Sequence, residues 1–410
     1  MRNVWIINHY AQEPFGMGGT RHFHFGKYLS NYNWQPTIIA SSFDSVTGHQ
    51  RLESNKKHKV ESINDVCFLW VKTPKYMGNG IGRIINMLVF SLRVLFKSST
   101  ISLKRPDLVV GSSVHPFAAL SAALIARRYG VPFVFEVRDL WPQTLLDMGR
   151  LRENSVMTWL LRRLESWLYH EASSIVVLLP YAWKYIISLG IPNEKIFWIP
   201  NGVDLSLFPN PTPPLQKKEF TLMYFGAHGQ ANDLQNILFA MRELQEMDGA
   251  SHIKLRLIGE GPLKTDLINQ AKRMSLKNVS FEKAVSKNKI PELASQADAF
   301  VIAVLGLKKL YQFGISMNKL FDYMAAMRPV IIASNASNNP IEDAQSGFTV
   351  PPGNPRALAE AILRLDRMSF SERNSMAASG RAYVEKNHNF EYLAFQLAKT
   401  LDLSIAENGR

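Results

Sequence analysis

Short apolar runs alternate with helical patterns along most of this chain, and this alternation constrains the fold more than any other feature. In the first half, strands are predicted at residues 4–7, 37–40, 67–71, 108–110, 133–136 and 174–178, and helices at 20–30, 81–97, 117–129 and 155–169. The polar segment 43–64 is predicted to be a surface loop. Such alternation is typical of a parallel sheet with helices on both faces.

A proline-rich segment, residues 208–219, interrupts the alternation and is predicted to be a linker. Beyond it, strands are predicted at 221–224, 254–258, 279–281, 299–303 and 330–333, and helices at 232–246, 263–274, 290–297, 318–326 and 356–365. The sequence therefore predicts an α/β chain with two tandem Rossmann-like domains, residues 1–207 and 220–384. A C-terminal helix at about residues 385–410 is expected to pack back on the first domain.

Length and composition limit the class of protein. The 410 residues exceed the ~100 to 200 of one ordinary domain, and 46% of them are apolar, as in globular proteins. The lone Cys67 excludes an intrachain disulfide and fits a reducing compartment. No apolar run approaches the ~20 residues of a membrane span, and the run before His9 is too short for a secretion signal. We expect a cytoplasmic chain.

The net charge of +13 calls for an acidic partner or surface. No zinc spacing, basic heptad or RNA-binding motif accompanies it, so nucleic acid is not the expected partner. Residues 80–105 place apolar side chains at helical spacing among five cations, Arg83, Arg93, Lys97, Lys104 and Arg105. This pattern suits an interfacial helix on anionic lipid, and a buried core helix with basic ends is the open alternative.

Residues 314–332 read GISMNKLFDYMAAMRPVII, a glycine turn, a helix opening and a returning strand. A helix N-terminus favours an anion, and Lys319 adds a full charge near it. Asp322 lies one turn past Asn318, within reach of a ribose hydroxyl. The segment predicts a site for a phosphorylated nucleoside, with an ordinary amphipathic helix as the alternative.

Each predicted domain begins with a strand followed by a glycine turn, FGMGGTR at 15–21 and GAHG at 226–229. Small residues such as Gly18 and Gly19, or Gly226 and Gly229 beside His228, allow a ligand close to the backbone. For the first turn, a strand-to-helix turn that needs positive φ is the alternative. Neither turn is a complete dinucleotide motif, and no phosphate loop occurs.

No Asp-x-Asp pair is present, and His22 and His24 are poorly spaced for one metal, so neither a metal nor a cofactor is expected. Three candidate catalytic residues follow predicted strands: His115 in SSVHP, and Arg138 and Asp139 in EVRDLWP. His115 could orient a sugar hydroxyl or transfer a proton. A helix-capping histidine and a structural Arg–Asp pair are the alternatives.

These segments resemble, in order and over essentially the whole chain, the family-4 retaining glycosyltransferases of the B-type fold. The resemblance is carried by GMGGTRHFHFGKYL, PDLVVGSSVHPF, VPFVFEVRDLWP, IPNGVDLSLF, MYFGAHGQANDL, LIGEGPLK, QADAFVIA, GISMNKLFDYMAAMRPVI and SGFTVPPGNPRALAEAI. It is strongest to bacterial O-antigen and capsule enzymes, including L-fucosamine transferases. It implies two domains with a deep cleft, the C-terminal one holding the nucleotide sugar.

Carried onto this chain, the resemblance implies a donor site formed by Gly18, Gly19, His115, Gly261, Ser286, Ser316, Asn318, Lys319 and Asp322. Ribose would bind Asp322, and the diphosphate would bind Lys319 and the backbone before it. Two departures matter. Gly314 stands where many members carry a first acid, and no cation beyond His228 follows the second glycine turn. Lys319 would then carry more of the diphosphate charge.

The resemblance implies transfer of a sugar, with UDP as the expected nucleotide, to a polyprenyl-diphosphate-linked glycan in O-antigen or capsule synthesis. The site of action would be the anionic inner face of the cytoplasmic membrane. Two alternatives stay open. One is a nucleotide-sugar 2-epimerase of the same fold, and the other is a nucleotide-sugar-binding scaffold that has lost catalysis, prompted by the missing first acid.

Overall fold

A computed structural model describes residues 1–14, 16, 18–78, 80–209, 211 and 218–408. Internal contacts divide the chain into two units. The first comprises Met1–Pro200 together with the chain from Phe390 onward, and the second comprises Asn201–Asn389. Most of the predicted linker lies outside the described residues. Phe208, at its start, is buried in the core of the second unit, so the change of unit precedes the proline-rich segment.

The described part of the first unit forms an eight-stranded sheet in the order β3-β4-β2-β1-β5-β6-β7-β8. The strands are β1 (Arg2–Ile7), β2 (Trp34–Ser41), β3 (His58–Ile63), β4 (Val66–Val71), β5 (Leu108–Ser112), β6 (Phe133–Val137), β7 (Ser174–Val177) and β8 (Ile196–Trp198). Each neighbouring pair is parallel except β3 and β4. The helices are α1 (Arg21–Leu29), α2 (Ile81–Leu95), α3 (Lys97–Thr100), α4 (Pro116–Tyr129), α5 (Gln143–Asp147), α6 (Val156–Glu171) and α7 (Ala182–Ser188).

The described part of the second unit forms a six-stranded parallel sheet in the order β11-β10-β9-β12-β13-β14. The strands are β9 (Phe220–Phe225), β10 (Ile253–Ile258), β11 (Val279–Glu282), β12 (Ala299–Ala303), β13 (Val330–Ala333) and β14 (Gly347–Val350). The helices are α8 (Leu234–Gln245), α9 (Lys264–Arg273), α10 (Ile290–Ser295), α11 (Lys308–Tyr311), α12 (Asn318–Ala325), α13 (Pro340–Asp343), α14 (Pro355–Arg367) and α15 (Phe370–Asn387). The two-domain Rossmann-like architecture predicted from the alternation is confirmed.

The strand orders locate one switch point in each unit. The chain leaves β1 toward β2 on one side and returns through β5 on the other, and it does the same around β9 and β12. Ligands of doubly wound sheets bind at the carboxyl ends of the strands that flank such a point. The segments after β1 and β5, and those after β9 and β12, are therefore the places where each unit can form a site.

The last helix, α16 (Phe390–Asn408), belongs to the first unit. It packs against α1, where Phe390 stacks on His24 with 4.7 Å between the ring centroids. Leu393, Leu397 and Leu401 are buried in the same core as the residues of β1 and β5. The apolar face of α16 thus completes one side of the first sheet.

The loop prediction for segment 43–64 is wrong, because the segment contains β3, and the strands β8 and β14 were not predicted. All three strands lie at the edge of a sheet. The β3 sequence HKVESI is exposed or half-buried at every position, so it carries little of the apolar periodicity on which prediction depends. The helix predicted at 81–97 ends at Leu95, because Phe96 adopts an extended conformation before α3.

Candidate functional site

Lys319 lies beneath the glycine turn that follows β9. Its Nζ donates hydrogen bonds to the Tyr224 hydroxyl at 2.8 Å and to Asn232 Oδ1 at 2.5 Å. Tyr224 and Asn232 each donate to the carbonyl of Ala227, at 2.8 and 2.9 Å. The turn therefore holds both partners that aim the ammonium group. A side chain at Gly226 would meet Lys319 Nζ at 3.2 Å, so the glycine leaves room for the cation.

The charge of Lys319 is unusually easy to remove. Burial of its ammonium group lowers the pKa of Lys319 from 10.5 to about 7. The ammonium also lies 4.6 Å from the centroid of the Tyr224 ring, a cation–π contact. A desolvated cation with two neutral hydrogen-bond partners is poised to gain an anionic ligand, since an anion would restore the stability that burial removes.

Asp322 lies one helical turn beyond Lys319 on α12 and is almost fully buried. Its Oδ2 pairs with Lys287 Nζ, whereas Oδ1 has no hydrogen-bond partner within the described part of the chain. Lys287 directly follows Ser286, so this ion pair brings the Ser286 loop to α12. The free acceptor oxygen can take a hydrogen bond from a ligand hydroxyl.

The segment before α12 is held by two asparagines. Ser316 accepts hydrogen bonds from Asn201, at its hydroxyl and at its carbonyl. Asn338 pairs with both backbone groups of the preceding residue, Ile315. Asn318 begins α12, and Met317, its N-terminal cap residue, makes no side-chain cap. The first N–H groups of such a helix have no partner within the helix and suit an anion.

His228 is fully buried in the same turn, and neither ring nitrogen has a hydrogen-bond partner within the described ranges. Burial, aided by the nearby charge of Lys264, lowers the pKa of His228 to about 4, so the ring is neutral at physiological pH. A side chain at Gly261 would come within 2.5 Å of the His228 carbonyl, so the glycine allows this close approach. Gly229 is half-buried and has space for a Cβ.

In the first unit, the switch point brings together His115, after β5, and His9, after β1. His115 is fully buried and caps α4, because the Ala118 N–H donates to His115 Nδ1 at 3.2 Å. Its Nε2 lies 2.7 Å from His9 Nδ1. Since His115 Nδ1 is an acceptor, His115 Nε2 carries the proton and donates a hydrogen bond to His9 Nδ1. Burial lowers the pKa of His115 to about 3, so the ring is neutral.

The structure thus bears out the capping geometry considered for His115, and both of its ring nitrogens are used within the protein. His9 stacks between Tyr10 and Phe90, with ring centroids 4.3 and 4.5 Å away. Any contact between His115 and a sugar requires the bond to His9 to break. His9 was not predicted to be part of this site.

The first glycine turn lies beside Tyr10. Gly19 has a positive φ of 66°, and a Cβ there would approach the Tyr10 carbonyl to 2.4 Å. Gly18 is exposed and has nothing within 4 Å of an added Cβ. Phe15 and Met17, which belong to the predicted turn, lie outside the described residues. Gly19 is therefore explained by the backbone, whereas the fold gives no reason for Gly18.

Arg138 and Asp139 follow the end of β6. The Arg138 backbone N–H donates to the Ser113 hydroxyl at 3.0 Å, which ties this segment to the one that carries His115. Its side chain is half-buried, and Asp139 is exposed. Both lie at the carboxyl edge of the sheet, as predicted from their position after a strand.

The apolar stripe predicted between residues 80 and 105 faces outward. Ile81, Ile84, Ile85, Leu88 and Leu92 are each between 40% and 76% exposed. A different face of α2 packs on the protein through Met87, Phe90 and Val94. The buried alternative for this stripe is therefore wrong, and α2 presents an apolar surface as well as an apolar core contact.

The five cations assigned to that surface do not all lie on it. Lys97, Lys104 and Arg105 are exposed, as predicted. Arg83 is half-buried and donates to the Tyr10 hydroxyl at 3.2 Å, and Arg93 is half-buried and donates to the Lys72 carbonyl at 2.5 Å. The assignment of Arg83 and Arg93 to the lipid-facing surface is corrected, because their positions on α2 direct both side chains toward the protein.

The described residues contain no group of three or more His, Cys, Asp or Glu side chains placed to hold a metal ion. Within the same ranges, every helix is too short or too polar to cross a membrane.

Three residues that contact Lys319 and Asp322 were not predicted from the sequence, namely Tyr224, Asn232 and Lys287. Asn232 lies six residues after Gly226, in the segment where the expected cations are absent, and its polar side chain at that place is the signal that points to it. Tyr224 lies within a strand and Lys287 within a charged loop, so neither stands out without the fold.

Two family models match the chain. Residues 18–207 match Glycosyltransferase Family 4, and residues 219–367 match Glycosyl transferases group 1. The two ranges together span most of the chain, and their division falls near the change of unit in the structure.

Named relatives and a solved structure agree with these matches. The chain is 23% identical to WbjE of Pseudomonas aeruginosa, named as a glycosyltransferase, over 82% of this chain and 83% of WbjE. It is 23% identical to WcaL of Escherichia coli K12, named as a colanic acid biosynthesis glycosyltransferase, over 52% of each chain. Anabaena HepE, solved in complex with UDP-glucose, superposes with a TM-score of 0.67 at 14% identity, covering 98% of this chain and 100% of HepE.

Proposed function

Since the chain is a group 1 glycosyltransferase of the B-type fold, we propose that it transfers a sugar, with retention of configuration, from a UDP-linked donor to a polyprenyl-diphosphate-linked glycan. The observation that carries the proposal is the Lys319 ammonium, enclosed beneath a glycine turn at the start of α12, with Asp322 one turn further on. The UDP-glucose complex of HepE supports UDP as the nucleotide of the donor. The likeness to WcaL supports a role in polysaccharide synthesis. We propose that this polysaccharide is a bacterial O-antigen or capsule.

In this proposal, Asp322 Oδ1 accepts a hydrogen bond from a ribose hydroxyl, and Lys319 and the first N–H groups of α12 bind the diphosphate. The base lies near Gly261 and Ser286. As the sugar–phosphate bond breaks, negative charge grows on the leaving diphosphate, and Lys319 stabilises it. The acceptor hydroxyl attacks from the face that the diphosphate leaves, through an oxocarbenium-like state, and its proton passes to the departing phosphate oxygen. His115, Arg138 and Asp139 then lie on the acceptor side as candidate catalytic residues.

The lipid-linked acceptor is supported by the exposed apolar surface of the first unit. The strand order requires α2, α4 and α6 to cross one face of the sheet, because parallel connections are right-handed. On that face the outward side chains of α2 are joined by those of α6, where Val156, Met157, Trp159 and Leu160 are 48% to 75% exposed. Exposed apolar and tryptophan side chains with flanking cations suit the interface of an anionic bilayer, here the inner face of the cytoplasmic membrane.

A direct test is mass spectrometry of a synthetic polyprenyl-diphosphate-GlcNAc acceptor after incubation with the protein and pooled UDP-, GDP- and dTDP-sugars, with and without EDTA. We expect the acceptor to gain one sugar in both samples. If the product formed without EDTA and was absent from the sample with EDTA, a metal-independent reaction would be contradicted. An unchanged acceptor together with epimerised donor would favour the epimerase. Nucleotide binding without transfer or donor hydrolysis would favour the scaffold.

The role of Lys319 has its own test. Lys319→Ala should lower turnover by ~10²-fold, the scale of losing one preorganised charge donor. Lys254→Ala is a matched control, because Lys254 is a lysine of the same unit whose Nζ pairs with Glu219 near the start of β10, away from the carboxyl ends of the strands. Equal loss in the two variants would contradict a specific role for Lys319.

A further inference from the structure

We propose that Asn201 and Asn338 are positioning residues that aim the backbone N–H groups of Ser316 and Met317 at the donor diphosphate. This inference rests on the proposed function, in which the start of α12 binds that diphosphate. It adds Asn201 and Asn338, two residues that lie outside the segment 314–332 from which the site is predicted.

The two asparagines hold consecutive residues. Asn338 accepts from the Ile315 N–H at 2.7 Å and donates to the Ile315 carbonyl at 3.1 Å, so its side-chain amide pairs with that residue as a neighbouring strand would. Asn201 donates through Nδ2 to the Ser316 carbonyl at 2.6 Å and through its backbone N–H to the Ser316 hydroxyl at 2.9 Å. The carbonyls of Ile315 and Ser316 are therefore both fixed.

Fixing these carbonyls also fixes the N–H groups that follow them. In a planar trans peptide, the carbonyl of one residue and the N–H of the next point in opposite directions. The Ser316 N–H therefore points away from Asn338 Nδ2, and the Met317 N–H points away from Asn201 Nδ2. Met317 is the N-terminal cap residue of α12, so its N–H is one of the groups without a partner within the helix that suit an anion.

Asn201 is itself anchored to α12. Its carbonyl accepts a hydrogen bond from His388 Nδ1 at 3.0 Å, and the His388 ring stacks on Phe321 of α12 with 3.9 Å between centroids. Asn201 is 5% exposed, so water does not compete for these bonds. Asn201 and the helix therefore move together, which keeps the Ser316 peptide in register with Lys319 two residues after Met317.

Separate measurements on the diphosphate and on the nucleoside test this inference. Binding of UDP, of uridine and of inorganic pyrophosphate would be measured by calorimetry for the full chain and for Asn201→Ala and Asn338→Ala. We expect the affinity of each variant for UDP and for pyrophosphate to fall ~10-fold. A loss of this size corresponds to one buried hydrogen bond, here one that orients a contact with a charged ligand. Affinity for uridine should be unchanged, because the proposed ribose and base contacts lie on Asp322 and the Ser286 loop.

Asn339→Ala is the matched control. Asn339 is the next asparagine in the chain, but it caps α13 and donates to Thr349 instead of holding the segment before α12. Its loss should lower the melting temperature without changing UDP affinity. If Asn201→Ala and Asn338→Ala lose uridine and UDP affinity equally, or lose only thermal stability, their role is structural and the inference is overturned.

Failure of the positioning role and failure of the donor site would give different results. If Lys319→Met abolishes UDP binding while both asparagine variants keep it, the donor site stands and only the positioning role falls. If the wild-type chain binds neither UDP nor pyrophosphate, the donor site itself is wrong, and the inference falls with it.

Discussion

Raising the pH above about 7 should weaken donor binding, because Lys319 loses its proton there. The diphosphate of a nucleotide sugar keeps its charge over this range, and it binds the protonated form of the lysine. Burial raises the pKa of Tyr224, a partner of Lys319, and lowers the pKa of His228, in the same turn, to about 4, so neither side chain titrates near neutrality. Lys319 is therefore the group within this network whose charge changes.

The direction and the magnitude of this pH dependence follow from the linkage between donor binding and proton binding by Lys319. Below about pH 7 the free protein already carries the proton on Lys319, and affinity should be independent of pH. Above it, binding must first take up a proton, so each further pH unit costs about tenfold in affinity until the pKa of the complex is reached. Near pH 9 the expected loss is ~100-fold.

Isothermal titration calorimetry with UDP-glucose checks this prediction. Repeating the titration at about pH 8.5 in buffers of different ionisation enthalpy should show uptake of about one proton per bound donor. Lys319→Met is the control, because it keeps an apolar chain of similar length and removes the titrating group, so its weaker binding should not depend on pH. An affinity of the wild-type chain that stays constant or rises between pH 7 and about pH 9 would refute the reasoning.

Three further predictions concern the first unit. Gly18→Ala should leave the melting temperature unchanged, because its Cβ has open space, and should lower turnover if substrate approaches that turn. Gly19→Ala should lower the free energy of unfolding by ~1–3 kcal/mol, because the φ of Gly19 is positive. Denaturant melts and initial rates distinguish the two effects. His115→Ala should lose ~1 kcal/mol of stability with the α4 cap, whereas His115→Asn keeps a capping oxygen; full activity in the asparagine variant would exclude a sugar contact by the imidazole. Leu88→Ser should reduce flotation with phosphatidylglycerol vesicles without lowering the melting temperature, since Leu88 is 40% exposed, and unchanged flotation would argue against α2 as the lipid contact.

Prediction from sequence succeeded for the central strands and for the edge strand β11, and it failed at the other three sheet edges. Central strands of a parallel sheet are covered on both faces and therefore read as continuous apolar runs, as β1 and β5 do. The unpredicted strands β3, β8 and β14 each have one neighbour and little buried surface. Their sequences, HKVESI, IFW and GFTV, are short or lack alternation of apolar residues, and the pairing that makes them strands is not local.

The α2 segment shows a similar division. The spacing of Ile81, Ile84 and Leu88 indicated a helix with one apolar face, and that helix forms. Whether that face is buried could not be read from spacing, because α2 has a second apolar face on Phe90 and Val94 that competes for the core. The same rotation of the helix brings Arg83 to Tyr10 and leaves the predicted stripe exposed.

The sequence by itself determined the α/β class, the repeat of a doubly wound unit, and the glycine turns with Lys319 and Asp322, since each of these depends on residues near one another along the chain. The tertiary structure alone decided which partners those side chains meet. Lys319 meets Tyr224 across 95 positions, Ser316 meets Asn201 across 115 and His115 meets His9 across 106. These contacts, and the pKa shifts that burial causes, arise because sheet order brings distant strand ends to one edge, which local periodicity cannot express.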